Sequence, residues 1–471
     1  MPGNARAARE SPVRLQALWH PGPAMSPMGR KLVPQDSKRR PRLLYLAFYF
    51  PPTRASGVYR SRAMANHFAA AGWDVTVLTV PRIFFTDYLD SYDPSLEATL
   101  HPDIRIERVD FDKRHWERDI RRISWLRANI PALPMALDKT IHKRVFPERY
   151  ATWGMNTVLH ALKLDRGQKF DAVMATGNPF VSFAAAWAIG KALRIPYVVD
   201  YRDAWTFNQF SEEMAFPYHS PVWGWERRVL RGAQEAVFVN EGMRAWHAHR
   251  YPDVSQRMTV VLNGWEPELL GQVPFRRPDP RRPLRFGYVG TVTEPMPLET
   301  LFEAWEKARS APELAGARLE IFGHLGFFPH TATALRARLP EEGGGVEYMG
   351  GVPKAELGST YEHLDVLVFC VPGAKYVTSG KVYEYMAAGK PIVSVHEPDI
   401  AAVDVLKGHP LWFGIDSLDP ASVADAMARA AAKARTMMQA DVDAAREHAA
   451  HFTRDAVLAP FERRMRRYVG A

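Results

Sequence analysis

A lysine and a glutamate three residues apart open a short helical stretch in "TSGKVYEYMAAGKPIV", residues 378–393, directly after Ser379-Gly380. Lys381, Glu384 and Tyr385 stand at i, i+3 and i+4 and share one face of a helix. Val382 and Met386 share another, suited to packing on a sheet. Ser379 and Gly380 lead into the helix N-terminus, where unpaired N–H groups and the dipole favour an anion. A phosphate there would also meet the Lys381 ammonium. A carboxylate one turn further on suits a ribose diol, because it can accept from two hydroxyls. The same spacing equally describes an ordinary Lys–Glu pair on a solvated face. Gly389 and Pro391 end the helix.

Other candidates follow apolar runs. "VVDYRDAW" clusters Asp200, Arg202 and Asp203. Charges are rarely buried without partners, so either an Arg–Asp pair pins this loop or the cluster faces a ligand. In "FPPTRASGVYRSR", Ser56-Gly57 sits where a strand gives way to a helix, and Gly57 allows a tight turn or close backbone approach to an anion. "GYVGTVTEP" places Gly287 and Gly290 about a strand end, with Thr291 next. "FGHLGFF" adds His324 as a lesser candidate. The single cysteine, Cys370, lies in "DVLVFCV" and reads as a small core residue rather than a nucleophile. The Asp-x-Asp at Asp441 to Asp443 falls in a helical stretch, where i and i+2 point apart. No metal site and no cofactor are expected.

The elements that position these residues follow from pattern. At 471 residues the chain is too long for one core and suits two domains. Apolar content of 47% and charged content of 24% are those of an ordinary soluble protein. One cysteine excludes a disulfide framework and points to a reducing, cytoplasmic setting. No apolar run approaches the roughly 20 residues that span a bilayer. The formal charge of +9 makes anionic partners plausible. Continuous apolar runs such as "RPRLLYLAFYF" and "DVTVLTV" alternate with helical patterns such as "GVYRSRAMANHFAAAG", giving βαβ units. The series is interrupted at "VPFRRPDPRRP" and resumes at "LRFGYVG". The expectation is a basic disordered tail over 1–40, a first Rossmann-like acceptor domain over 41–272 and a linker over 273–283. A second such domain for the donor spans 284–452, and a terminal helix over 453–471 could return to the first domain. In doubly wound sheets, ligands bind beyond the carboxyl ends of the strands, which is where every candidate above lies.

With those residues in place, the chain resembles the retaining GT-B nucleotide-sugar glycosyltransferases of glycosyltransferase family four, over about residues 42–470. The pieces are "FPPTRASGVYRSRAMANHFAAAGWDVTVLT", "VVDYRDAW", "VVLNGWEPE", "GYVGTV" and "SGKVYEYMAAGKPIV". The resemblance implies an α/β fold of two facing Rossmann-like domains and transfer of a sugar from a UDP- or GDP-linked donor. It implies that Glu384 holds the ribose and that Gly57 lies near the donor phosphates. It also implies cell-surface polysaccharide or glycolipid synthesis with a glycan or lipid-linked acceptor. The chain departs from the pattern at three places. Tyr376 stands where many members have a first glutamate. "TVTEPM" lacks the usual base, which leaves phosphate to Lys381, Arg60, Arg62 or backbone amides. Arg202 stands where many have histidine, as in a subgroup carrying Arg-Asp-x-Trp. Lys381, Arg202 and Asp203 are the expected catalytic groups, with Asp203 orienting the acceptor or Arg202.

Residues 113–149 hold ten Lys/Arg against four Asp/Glu. Trp116, Ile120, Ile123, Trp125 and Leu126 are interleaved with Arg118, Arg121, Arg122 and Arg127. This suits either a helix on an anionic membrane surface or a solvated basic cap, and the first would place the protein at the inner face of the plasma membrane. A nucleotide-sugar epimerase, a non-catalytic relative and a nucleic-acid-binding protein are the competing readings. No helix-turn-helix, zinc-finger or RNP pattern supports the last, so nucleic acid is not an expected partner.

Overall fold

The computed structural model describes residues 39–55, 57–89, 91–117, 119, 121, 129, 130, 146, 148–326, 329–340, 344–353 and 356–471. The basic tail up to residue 38, Ser56, and Arg118, Arg122 and Trp125 of the basic segment lie outside them.

Two parallel sheets organise residues 40–471. The first contains β1 (Arg42–Leu46), β2 (Asp74–Thr79), β3 (Arg105–Arg108), β4 (Ala172–Gly177), β5 (Tyr197–Tyr201), β6 (Glu235–Phe238) and β7 (Met258–Val260), in the order β3-β2-β1-β4-β5-β6-β7. The second contains β8 (Arg285–Val289), β9 (Arg318–Phe322), β10 (Val346–Gly350), β11 (Val366–Cys370), β12 (Ile392–Val395) and β13 (Trp412–Phe413), in the order β10-β9-β8-β11-β12-β13. Each sheet is covered by helices on both faces, so strand residues of either parity are buried. Leu44 and Leu46 join a core with Trp153 and Phe183, whereas Leu43 and Tyr45 join one with Met64, Phe68 and Trp73. That is why the strands read as unbroken apolar runs. The fold is the expected pair of Rossmann-like domains.

The order reverses between β1 and β4 in one sheet and between β8 and β11 in the other. Leu43 pairs with Ala172 and Phe286 with Val366 across these two seams. The loops leaving adjacent strands there diverge and open a crevice. Residues 271–284 carry neither helix nor strand. The terminal helix Arg454–Val469 lies on the first domain. Its Phe461 ring sits 5.7 Å from Phe68, Glu462 accepts from Trp73 Nε1 at 2.7 Å, and Glu235 accepts from Tyr468 at 2.8 Å.

Among the described residues, no helix is long and apolar enough to cross a membrane. The placement of Trp116 corrects one expectation. Its ring is not displayed outward but stacks on Tyr150 at 4.9 Å and meets Phe84 at 5.4 Å and Phe111 at 5.7 Å edge-on. The indole completes an aromatic cluster of the first domain and is not available as a membrane anchor.

Candidate active site

A cleft of about 680 Å³ opens where the two seams face each other. Gly57, Arg202, Asp203, Gly290, Thr291, Ser379, Gly380, Lys381 and Glu384 all line it, as does His324. Residues as far apart in sequence as Gly57 and Glu384 thus meet on one surface, because every loop involved leaves the carboxyl end of a strand near a seam.

The helix Lys381–Ala388 begins at Gly380 and ends at Gly389, whose φ of 67° is the left-handed cap that its Gly-Lys-Pro stop implies. Val382 and Met386 are buried against the sheet. Lys381 reaches back over β8: its Nζ donates to the Tyr288 hydroxyl at 2.8 Å, and that hydroxyl donates to the Thr291 carbonyl at 2.7 Å. Gly290 makes this reach possible. A Cβ there would lie 1.9 Å from Lys381 Cε, and the residue's φ of 150° already favours glycine. Burial lowers the Lys381 pKa to about 8, with the Glu384 carboxylate opposing the shift. Glu384, one turn on, accepts from the buried Tyr361 hydroxyl at 3.3 Å.

Tyr385 is a correction. Spacing puts it beside Lys381 and Glu384, yet it is fully buried. Its hydroxyl accepts from the Val289 N–H at 2.8 Å and donates to the Val289 carbonyl at 3.3 Å, bracing the end of β8.

On the opposite wall, Arg202 lies so close to Gly57 that a Cβ there would fall 0.9 Å from Nη1. The space left by the missing side chain is therefore filled by a guanidinium of the same chain. Arg202 donates to the Asn178 carbonyl at 3.3 Å and approaches Asp203 at 3.4 Å. Asp203 accepts from Gln209 Nε2 at 3.3 Å. Asp200 belongs elsewhere. It is fully buried, clamped by Arg60 through Nη2 at 2.7 Å and Nε at 3.0 Å, with Thr176 at 3.1 Å. Arg60 and Arg62, considered above as phosphate cations, are both committed to carboxylates: Arg60 to Asp200, and Arg62 to Glu266 with Thr99. Asp441 and Asp443 are likewise engaged, with Lys433 and Gln439 respectively, at 2.7 Å each. Burial pushes the Cys370 thiol up to about 12, which keeps it protonated and inert.

Several residues of this site were not singled out in the sequence. Tyr288 and Tyr361 support Lys381 and Glu384, and neither carries a local signal. Asn240 does carry one, since an asparagine between a strand and a helix is a capping pattern. Arg454 lines the cleft from the start of the terminal helix, 3.9 Å from Glu266, and burial lowers its pKa to about 10. Glu226, fully buried, accepts from Thr206 at 2.7 Å and Tyr201 at 3.3 Å, the two ends of the turn that presents Arg202 and Asp203. Tyr376, where the resemblance leads one to expect a first glutamate, is buried with its ring 4.9 Å from Phe207 of the first domain.

Residues 57–264 match the family described as "Glycosyl transferase 4-like domain", and residues 283–433 match "Glycosyl transferases group 1". No curated protein sequence matches the chain. Among solved structures, a glycosyltransferase from Rickettsia africae is similar at a TM-score of 0.63 and 10% identity, covering 91% of this chain and 99% of that one. Sucrose-phosphate synthase from Thermosynechococcus elongatus is similar at 0.63 and 15% identity, covering 92% and 100%. The Anabaena protein HepE in complex with UDP is similar at 0.57 and 12% identity, covering 90% and 99%.

Proposed function

The chain belongs to the glycosyltransferases of group 1, and from that premise we propose that its cleft takes a nucleoside-diphosphate sugar and passes the sugar, with retention of configuration, to a glycan or lipid-linked acceptor. The observation that carries this reading is the Lys381 ammonium lying over Gly290, at the mouth of a helix whose next turn presents Glu384. A cation and a carboxylate one helical turn apart match the diphosphate and the ribose diol of such a donor. The Ser379–Lys381 amides and the bare backbone at Gly290 and Thr291 supply further diphosphate contacts. The fold shared with a UDP complex favours a uridine nucleotide.

Departure of the sugar leaves negative charge on the diphosphate, and preorganised donors lower that barrier most. Lys381 and the helix N-terminus supply them from one wall. Arg202, held over Gly57, supplies a second cation, a guanidinium, from the other, and Asp203 orients it and receives the acceptor hydroxyl. Stabilisation of this kind requires no covalent sugar–protein intermediate. The reaction would serve synthesis of a cell-surface polysaccharide or glycolipid.

The test is thermal unfolding with UDP-, GDP- and ADP-sugars, followed by product analysis. A ligand at 100 times its Kd stabilises by about 2.7 kcal/mol. One nucleotide series should raise the Tm, and its sugar should appear in a new glycosidic bond of unchanged anomeric configuration. Stabilisation by no nucleotide sugar would defeat the proposal. An epimerised sugar without transfer would assign an epimerase instead.

A further inference from the structure

We propose that Phe210 is a stacking platform for a pyranose ring of the acceptor, an inference that rests on reading the cleft as a sugar-transfer site. The loop after β5 is closed by its own hydrogen bonds at the base of this side chain. Phe207 is buried at 2% exposure and pairs with Met214 as an antiparallel bridge. Asn208 N–H donates to the Glu213 carbonyl at 2.7 Å, and Asn208 Oδ1 accepts from the Phe210 N–H at 2.9 Å. A flexible tip would let a phenyl fold back onto the chain. This closed turn does not, and Phe210 stays 55% exposed on the wall of the cleft.

Its surroundings specify the ligand. Gln209, the adjacent residue, donates to Asp203 at 3.3 Å and accepts from the Ala204 N–H at 2.9 Å, tying the tip to the carboxylate. A cleft lined by an aromatic ring, a carboxylate and a guanidinium suits a molecule with an apolar face and a hydroxyl edge. A pyranose has both: its axial C–H groups meet the electron-rich ring face while its hydroxyls reach Asp203. A lipid tail would gain nothing from the charges. The nucleoside is expected on the other domain, at Glu384.

The proposal is tested by saturation-transfer NMR titrations of the full chain, without nucleotide, with methyl β-glucopyranoside, β-galactopyranoside and α-mannopyranoside. At least one should receive saturation on its ring C–H protons. Phe210→Ala and Phe210→Leu should weaken that binding roughly three- to tenfold, the effect of one aromatic contact, and Phe210→Trp should keep it. Parental affinity in Phe210→Leu would mean a generic apolar contact and overturn the platform, as would no saturation of any pyranoside. UDP titrated in parallel should bind all variants equally. Pyranoside uptake without UDP uptake would sink the donor reading and spare Phe210, and UDP uptake alone would do the reverse.

Discussion

Asn240, on the first domain, donates its side-chain amide to the Tyr376 carbonyl of the second at 3.0 Å, while its oxygen caps the helix Glu241–Arg250 through the Met243 N–H at 2.9 Å. One buried side chain thus starts a helix in one domain and holds the segment that leads into Ser379, Gly380 and Lys381 in the other. Thr378 Oγ1 receives the same amide at 3.3 Å, and Gly242 leaves room for the Lys375 carbonyl, 2.7 Å from where a Cβ would be.

Asn240→Ser and Asn240→Ala should separate these two jobs. Serine keeps the cap but cannot reach Tyr376, whereas alanine loses both. Alanine should cost about 1 kcal/mol more than serine in denaturant unfolding. Both should weaken UDP binding several-fold by leaving the Lys381 segment untethered. Parental UDP affinity in Asn240→Ser would detach the contact from the site.

Glu384→Ala should weaken the nucleoside as much as the nucleotide. Loss of a charge-assisted hydrogen bond costs roughly 1.5–3 kcal/mol, or about ten- to a hundredfold in affinity. Calorimetry with uridine and UDP checks this, and an unchanged uridine affinity in a folded variant would remove the ribose role.

Lys381 gives a pH signature. Its pKa in the folded protein is about 8, below the ordinary lysine value, because burial disfavours the charged form. The unfolded chain therefore binds more protons between about pH 8 and 10.4, so this residue makes stability rise with pH across that window. Lys381→Met should flatten the rise and raise Tm at pH 7. UDP affinity should fall above about pH 8 as the ammonium is lost, while uridine affinity stays level. Gly290→Ala should mimic the loss at all pH values, because its methyl displaces the lysine.

Transfer should survive EDTA. On the proposed reading Lys381 and the helix N-terminus meet the diphosphate, and both Asp-x-Asp pairs are already engaged, Asp441 and Asp443 with Lys433 and Gln439, Asp110 and Asp112 with Lys113 and Arg114. Loss of turnover with chelator, restored by magnesium or manganese, would count against this account.

The basic segment should bind vesicles containing anionic lipid by charge alone. Each Lys/Arg near such a surface is worth about 1 kcal/mol, and Trp116 is stacked on Tyr150 rather than free to insert. Binding measured by co-sedimentation should disappear at about 1 M salt, where the Debye length is ~3 Å. Replacing Arg118, Arg121 and Arg122 by serine should reduce it and leave UDP affinity intact. Binding that persists at high salt would require an apolar anchor.

The two domains, the strands and the helix at Lys381 were legible in the sequence, because each follows from local rules: apolar runs for strands buried on both faces, a 3.6-residue period, a Gly-x-Pro stop. Even the cleft was legible in outline, since ligands of such sheets lie where strands end. What the sequence could not decide was which charged or aromatic side chain is spent on another. Arg60 looks like a phosphate cation until Asp200, 140 residues on, takes it at 2.7 Å. Tyr385 looks like a partner of Glu384 until β8 arrives to receive its hydroxyl. Gly57 looks like room for a ligand until Arg202 fills it. Trp116 looks like a membrane anchor until Tyr150 covers its face. Periodicity sets which side of an element a residue occupies. Only the packing of distant elements decides whether that side meets solvent, a ligand or the rest of the chain.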